Sequence, residues 1–475
     1  MQVLVVNANR AIQPVPVIPF GACIVADAAE RAGHAVRFLD LLFERNPERA
    51  LEKELRSNPP GAVGISVRNI DNNDIVNTLR YYEDVPPLVR TVRRVSRAPV
   101  LLGGAAVAVM PEALLRLTGA DFAAVGDGDV TFPRILDALS RGDDPGSVEG
   151  VARLEGGEFR QNGVSRSFPM SDCPAPDFPR WVNVGKYRRR MSTAPIQSKR
   201  GCPFECVYCT YSVAEGRSYR LCPPEKVVAQ IRRLVEMGLP DIEFVDNVFN
   251  SPHEHAMAVC RALAEAKLPA RLQTLELNPR FVDDELLDAM KAAGFVGVAI
   301  TLESASDPVL IRLHKGFNAD DARRCAEAIA RHDLQCLWIF MFGGPGETRE
   351  TVRETLRFAQ EYIRPSDIAF FTLRVRIYPG TGLDRIARDE GQLAVPPNDM
   401  LDPVFYLSPG VDHDWLESEL KAATAGHLNM VTGDAISISL AQKVLHLAYL
   451  VGFRPPLWKH ARKLRILGRL LGAYR

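Results

Sequence analysis

Ile196-Gln-Ser-Lys-Arg-Gly-Cys-Pro-Phe-Glu-Cys-Val-Tyr-Cys-Thr210 leads from a short apolar start into three cysteines, Cys202, Cys206 and Cys209, spaced C-x3-C-x2-C. Three thiolates in one short loop can hold three irons of a [4Fe-4S] cube, whereas cubes in electron carriers take four. The fourth iron is then left open to a small molecule. A structural zinc site competes for the same residues, but it wants four ligands, and Cys222 is the only nearby candidate. A disulfide framework fits worse. The nine cysteines are an odd number in 475 residues, and no charged-then-apolar leader precedes the first strand, so reduced thiols and a cytoplasmic setting are expected.

Downstream of the loop, apolar strands alternate with amphipathic helices. Ile242–Asp246, Ala270–Leu275, Val296–Leu302, Cys336–Phe342 and Ile368–Leu373, with the strand that feeds the cysteines, make six. Six strands of this kind fit a partial (β/α)6 barrel of the TIM type, with its active face at the carboxyl ends of the strands.

Upstream, Val3–Val6, Val36–Leu39, Gly61–Val67, Pro99–Gly104 and Phe122–Val125 read as buried strands, with a helix from Ala22 to Ala32 after the first. That pattern predicts a doubly wound, Rossmann-like parallel sheet, in which ligands sit at the strand ends. The expected fold class is therefore α/β throughout, with a helical C-terminal region. The expected boundaries are 1–140 for the first domain, 141–191 for a connector with a hairpin around Gly156-Gly157 and a Pro-rich run, 192–390 for the barrel, and 391–475 for a helical, basic end.

Charge excludes little else. The 58 basic and 58 acidic residues cancel, so no nucleic-acid partner is expected, and no apolar run reaches the roughly 18 residues of a spanning helix. After Asp434 there is no acid, while Lys443, Arg454, Lys459, Arg462, Lys463, Arg465, Arg469 and Arg475 accumulate among apolar residues. Such a stretch suits an anionic membrane surface or RNA phosphates, or is simply a solvated face packed on the barrel.

The cysteine spacing resembles the radical S-adenosylmethionine (SAM) superfamily, and the two-part layout resembles its cobalamin-binding branch. The resemblance implies a [4Fe-4S] cluster on Cys202, Cys206 and Cys209 whose open iron binds SAM, reductive cleavage to a 5'-deoxyadenosyl radical, and an external one-electron reductant, flavodoxin or ferredoxin. It places Tyr208 against the adenine. Asp246 and Asn247 fall where the family holds the SAM amine, Glu303 and Ser304 where it contacts the ribose or methionine part, and Gly343 and Gly344 beside the adenine; Lys315 also matches a recurrent position. Cysteines 222, 260, 325 and 336 read as cap or core residues, and His253 and His255 as surface residues opening a helix.

In the first domain, Gly126-Asp-Gly-Asp-Val-Thr-Phe132 resembles the family's G-E-G-E-x-T-F, with Asp at both acids. Ser66, Gly103, Gly104, Gly126, Asp127 and Gly128 are accordingly the cobalamin-binding candidates. The signature D-x-H-x-x-G is absent, so cobalamin would bind with no histidine ligand, or the fold would persist without it. The polar loop Arg68–Asp74 either faces the lower side of the corrin or is a solvated turn.

The resemblance implies a cobalamin-dependent C-methyltransferase acting on a small molecule or, if the basic end meets the inner face of a membrane, a lipid or isoprenoid. Alternatives are a cobalamin-using cyclase or oxidase, a tRNA methylthiotransferase, disfavoured because residues 1–150 contain only Cys23, and a non-catalytic cobalamin or iron-sulfur sensor.

Overall fold

The computed structural model describes residues 1–12, 15–172, 175–432, 445–460 and 463. Its first sheet holds β1 (Gln2–Asn7), β2 (Ala35–Asp40), β3 (Ala62–Ser66), β4 (Val100–Gly103) and β5 (Phe122–Ala124), extended by β6 (Val151–Glu155) and β7 (Glu158–Gln161). The strand order is β2-β1-β3-β4-β5-β6-β7, parallel up to β5 and antiparallel beyond it. Alternate residues of β1 serve two cores: Val3 and Val5 pack with Ala22 and Ala26 on one face, Leu4 and Val6 with Leu51 and Leu88 on the other. Burial on both faces explains why the strands read as continuous apolar runs. The order reverses between β1 and β3, which opens a crevice at their carboxyl ends.

A ribbon of β9 (Lys199–Arg200) and β10 (Arg220–Leu221) then brackets the cysteine loop. Around it runs a second sheet in the order β18-β15-β14-β13-β12-β11-β8, made of β8 (Ala194–Ile196), β11 (Asp241–Phe244), β12 (Arg271–Leu277), β13 (Phe295–Glu303), β14 (Gln335–Phe342), β15 (Ile368–Leu373) and β18 (Met430–Thr432). Every neighbouring pair is parallel. Along β14, Cys336, Trp338, Phe340 and Phe342 are buried, and Trp338 and Phe340 lie edge-on to Phe358 of the helix Arg349–Tyr362. The alternate residues Leu337, Ile339 and Met341 are half-buried and face inward, as the period of two requires.

The six expected barrel strands and the five expected parallel strands are all present, and three features are additional. The hairpin at Gly156-Gly157 extends the first sheet instead of standing apart. The connector binds the same half: Trp181 Nε1 donates to Asp27 Oδ1 at 2.6 Å and the Tyr187 hydroxyl to Asp40 Oδ2 at 2.9 Å. After β15, β16 (Val375–Arg376) pairs as a ribbon with β17 (Phe405–Tyr406); β17 and β18 lie in the span read as helical, and β18 adds a seventh barrel strand. Strands of two or three residues are too short to leave a periodic signal.

Most of the basic C-terminal stretch, including Lys443, Arg462, Arg465, Arg469 and Arg475, lies outside the described residues. Its described part turns inward. A Cβ on Gly297 would meet Pro456 Cγ at 2.8 Å and Trp458 Cζ2 at 3.3 Å, so this segment closes on the amino-terminal end of β13. Arg454 donates to the carbonyls of Tyr449 and Phe453 at 2.9 and 2.7 Å. Among the described residues no helix is long and apolar enough to cross a membrane.

Candidate active site

The three thiols lie on one loop at the barrel mouth. Cys202 is buried and Cys206 and Cys209 half-buried, all free. Burial raises each thiol above its ordinary range, Cys209 to about 12; neighbouring thiols add to the rise at Cys202 and Cys209, and Glu303 and Glu276 add to it at Cys206. A bound cation inverts this balance and draws off the protons. Among the described residues no three His, Cys, Asp or Glu side chains stand close enough for one metal ion; the corners of a four-iron cube space their ligands wider than one ion does.

Against the loop sits a buried triad. The Tyr208 hydroxyl donates to Glu303 Oε1, and Lys315 Nζ donates to the same oxygen at 3.2 Å and to the Tyr208 oxygen at 3.0 Å. Glu303 Oε2 is buried with no partner. The residue stands at φ +61°, just past a register shift between Thr301 and Glu303. A non-glycine residue held there is strained, and such strain collects at ligand sites. An orphan carboxylate oxygen beside three thiols is the feature a donor's polar groups would satisfy.

The other expected contacts resolve differently. Both oxygens of Asp246 are occupied, by Ser198 N (2.8 Å), Ser198 Oγ (2.5 Å) and Lys199 N (3.2 Å), and the side chain has no exposure. Asp246 braces the start of the cysteine loop and presents no free carboxylate to an amine. Asn247 donates to Glu215 Oε2 at 2.8 Å, and Glu215 also receives Gln197 and the Gly201 amide. Ser304 is fully buried on Thr355 and Ser306. His255, expected at the surface, is buried beside the Ser198 carbonyl at 3.3 Å.

The Gly343-Gly344 turn is closed by its own acid. Glu347 Oε2 accepts both glycine amides, while Oε1 is buried and unpartnered. Burial pushes this carboxyl up to about 8. A raised acid favours the folded state below its unfolded value near 4.5, and that stability is lost as pH climbs through 8. Glu347→Gln should therefore match the parent near pH 5 and exceed it at pH 9 by a few kcal/mol at most, on the order of the shift; thermal midpoints at the two pH values check this.

Sequence reasoning missed the inward polar wall. Glu243 is bonded by Gln273 and by Thr193 at 3.0 Å, and Glu276 is pushed up to about 8, chiefly by burial and then by Glu303. A charge at an inward position of an apolar strand, as in Leu275-Glu276-Leu277, was the available signal.

In the first half, the expected cobalamin residues divide. Ser66 and Gly103 end β3 and β4 at the crevice, and a Cβ on Gly103 would meet nothing within 4 Å. Gly104 (φ +104°) is needed by the chain itself, since its Cβ would sit 2.4 Å from the Val67 carbonyl oxygen. Gly126 (φ +99°) is likewise pressed on Ser165, with a would-be Cβ at 2.0 Å from its carbonyl, and Gly128 on Val25 at 3.2 Å.

Asp127 is not turned to the crevice. It pairs with Arg200 at 3.0 Å and with Arg220, and it accepts the Phe168 amide at 3.0 Å; Asp129 takes Arg200 at 2.8 Å. Arg200 and Arg220 face each other across β9 and β10. The acidic motif thus clamps the neck of the cysteine loop. The loop after β3 docks as well: Asp71 pairs with buried Arg376 at 2.8 Å, Asn73 accepts from the Tyr378 hydroxyl at 2.7 Å, and Arg68 acts electrostatically on Glu243 and Tyr211. It is neither a plain solvated turn nor free of the barrel.

With this geometry in view, the model of the radical SAM superfamily matches residues 196–359 and that of the B12 binding domain residues 11–136. The chain belongs to the radical SAM superfamily and carries a B12-binding domain. This radical SAM enzyme is 27% identical over 375 residues to an uncharacterised methyltransferase of Pyrococcus horikoshii, covering 77% of each chain. It is 24% identical over 443 residues to tryptophan 2-C-methyltransferase of Streptomyces laurentii, covering 80% of this chain and 73% of that one. The radical SAM methyltransferase TsrM of Kitasatospora setae, solved with cobalamin and a [4Fe-4S] cluster, superposes with a TM-score of 0.87 at 23% identity over 99% of this chain and 98% of that one. At that identity the likeness shows the fold. The two domains imply a [4Fe-4S] cluster, SAM and cobalamin. In this radical SAM enzyme the three thiols, the orphaned Glu303 oxygen and the open space at Gly103 fit those groups.

Proposed function

We propose that the enzyme transfers a methyl group to an unactivated carbon of its substrate, using cobalamin and SAM within one chamber between the two sheets. The observation that carries this is the meeting of the two ligand-bearing ends: the loop after β3 puts Asp71 on Arg376 at 2.8 Å and Asn73 on the Tyr378 hydroxyl at 2.7 Å, with Arg68 within electrostatic reach of Glu243 and Tyr211. A cofactor at the β1/β3 crevice and a donor at the barrel mouth would then face a common substrate. When bound, the cluster and SAM supply a carbon radical or a methyl group, and cobalamin carries the methyl.

The chain's own residues define what enters. Leu337, Ile339 and Met341 offer an apolar wall, and Glu243, Gln273 and Glu276 a polar one. That pairing suits a substrate with an apolar body and a hydrogen-bonding group, a description that spans small metabolites and isoprenoid-like lipids. The relatives named as methyltransferases support methyl transfer.

Anaerobic protein with a reconstituted cluster, hydroxocobalamin, SAM and reductant should form 5'-deoxyadenosine or S-adenosylhomocysteine, and a deletion strain should lack a product 14 mass units heavier than an accumulating precursor, the mass of one added CH2. Neither nucleoside product would sink the reading. Gly103→Leu should leave the thermal midpoint and iron content unchanged while cobalamin retention on gel filtration falls by at least about tenfold, the cost of roughly one clash-sized loss of binding energy. Full retention would remove Gly103 from the cobalamin site.

A further inference from the structure

A short helix over 445–450 is apolar on two faces. Leu445 and Ala448 are buried, while Leu447, Leu450 and, just past the last turn, Val451 are 61%, 63% and 66% exposed. Positions i, i+3 and i+4 share one side of a helix, so these three form a single outward stripe. They are three of the four most exposed large apolar residues among the described residues. A helix that is apolar all round is ordinarily covered on every side, and here the outward side is open.

The stripe is set among cations. His446 Nδ1 lies 3.2 Å from the Arg189 carbonyl, which puts the helix against the run Lys186-Tyr-Arg-Arg-Arg190. Among the described residues Arg188, Arg189 and Lys459 have no carboxylate within ion-pair distance. Asp241, the first residue of β11, feels both Arg188 and Arg454, but it is taken by Arg271 at 2.7 Å. In a chain whose net charge is zero, the sequence after Asp434 holds eight Lys or Arg and no acid. The place is fixed as well: Asp241 opens β11, and Pro456 and Trp458 close on the amino-terminal end of β13, so this surface lies at the end of the barrel opposite the cysteine loop.

We propose that this end of the barrel rests on an anionic lipid surface, with Leu447, Leu450 and Val451 in the interface and the surrounding Lys and Arg on the headgroups. An aliphatic stripe ringed by uncompensated cations is what such an interface covers: acyl chains take the leucines and valine, and lipid phosphates take the charges. A second copy of the chain fits worse, because a two-fold contact would set one basic surface on another. RNA would meet the cations and leave the aliphatic stripe bare, since its bases stack on aromatic rings. The barrel mouth then faces away from the lipid, so the membrane holds the enzyme without feeding its chamber. The inference stands apart from the chemistry at the mouth.

The test sediments the full chain with vesicles of phosphatidylcholine alone or mixed equally with phosphatidylglycerol. The parent should pellet with the mixed vesicles, be released as salt rises, and stay in solution with phosphatidylcholine alone. Leu447→Gln/Leu450→Gln should weaken binding to the mixed vesicles at least about tenfold, because two large side chains no longer enter the lipid. Arg189→Glu/Lys459→Glu should weaken it at least as much, at about fivefold per charge. Both variants should keep the parent's thermal midpoint, since all four side chains are exposed. A parent that ignores the mixed vesicles would overturn the proposal, and a dimer lost in Leu447→Gln/Leu450→Gln would then give the stripe to a second copy. Binding left unchanged in Leu447→Gln/Leu450→Gln, or tighter binding to polyuridylate than to the vesicles, would overturn it too.

Discussion

Arg200→Leu should yield a protein that loses most of its iron after anaerobic reconstitution and unfolds at a markedly lower temperature. The guanidinium is buried and serves Asp127 and Asp129 together. Removing one partner of a buried pair costs about 3–5 kcal/mol, because the charges left behind have neither water nor a counter-ion. Arg220 alone cannot replace it, since it reaches only Asp127. Arg200→Lys should recover part of the stability and little of the iron retention, because an ammonium cannot fork across two carboxylates. Acid-labile sulfide per chain and the thermal midpoint check both. Parent-like iron in Arg200→Leu would mean that the clamp does not position the loop.

Cys206→Ala should abolish the cluster's absorbance and EPR signal and reduce SAM-dependent turnover to background, while Cys222→Ala keeps both. The two cysteines differ by place. Cys206 shares its surroundings with Lys315 and Glu303 at the barrel mouth, and Cys222 is fully buried with its backbone amide on the Ser198 carbonyl at 2.8 Å. Truncating a buried thiol to Ala leaves a methyl-sized gap, worth about 1 kcal/mol. A cubane surviving in Cys206→Ala would remove that thiol from the ligand set.

The contrast between the two halves of the site follows from what a sequence can carry. Strands buried on both faces are written as apolar runs, so β1 to β5 and the long barrel strands were legible, and so was the cysteine spacing. Glu303 was legible too, because an acid ending a buried strand needs a partner. The partners themselves were not. Asp246 and Asp127 look like ligand-facing acids at strand ends, and only the fold shows that Ser198 and Lys199 take one and Arg200 and Arg220 the other. Long-range ion pairs, here 71 and 73 residues apart, leave no local trace. Glu243 and Glu276 showed as charges within strands, but β11 and β12 also carry Asp241, Arg271, Gln273 and Thr274, so the letters alone did not say which of them form the inward wall.

The pinning of the β9–β10 neck by acids at the start of the helix Gly128–Arg141, in the other half of the chain, has a bearing on how such a protein can be divided. A fragment beginning at the barrel would expose two facing guanidiniums with no counter-charge, at the stem from which its three thiols project. The halves are therefore poor candidates for separate expression or for exchange with foreign partners, unless the acids travel with the arginines they neutralise.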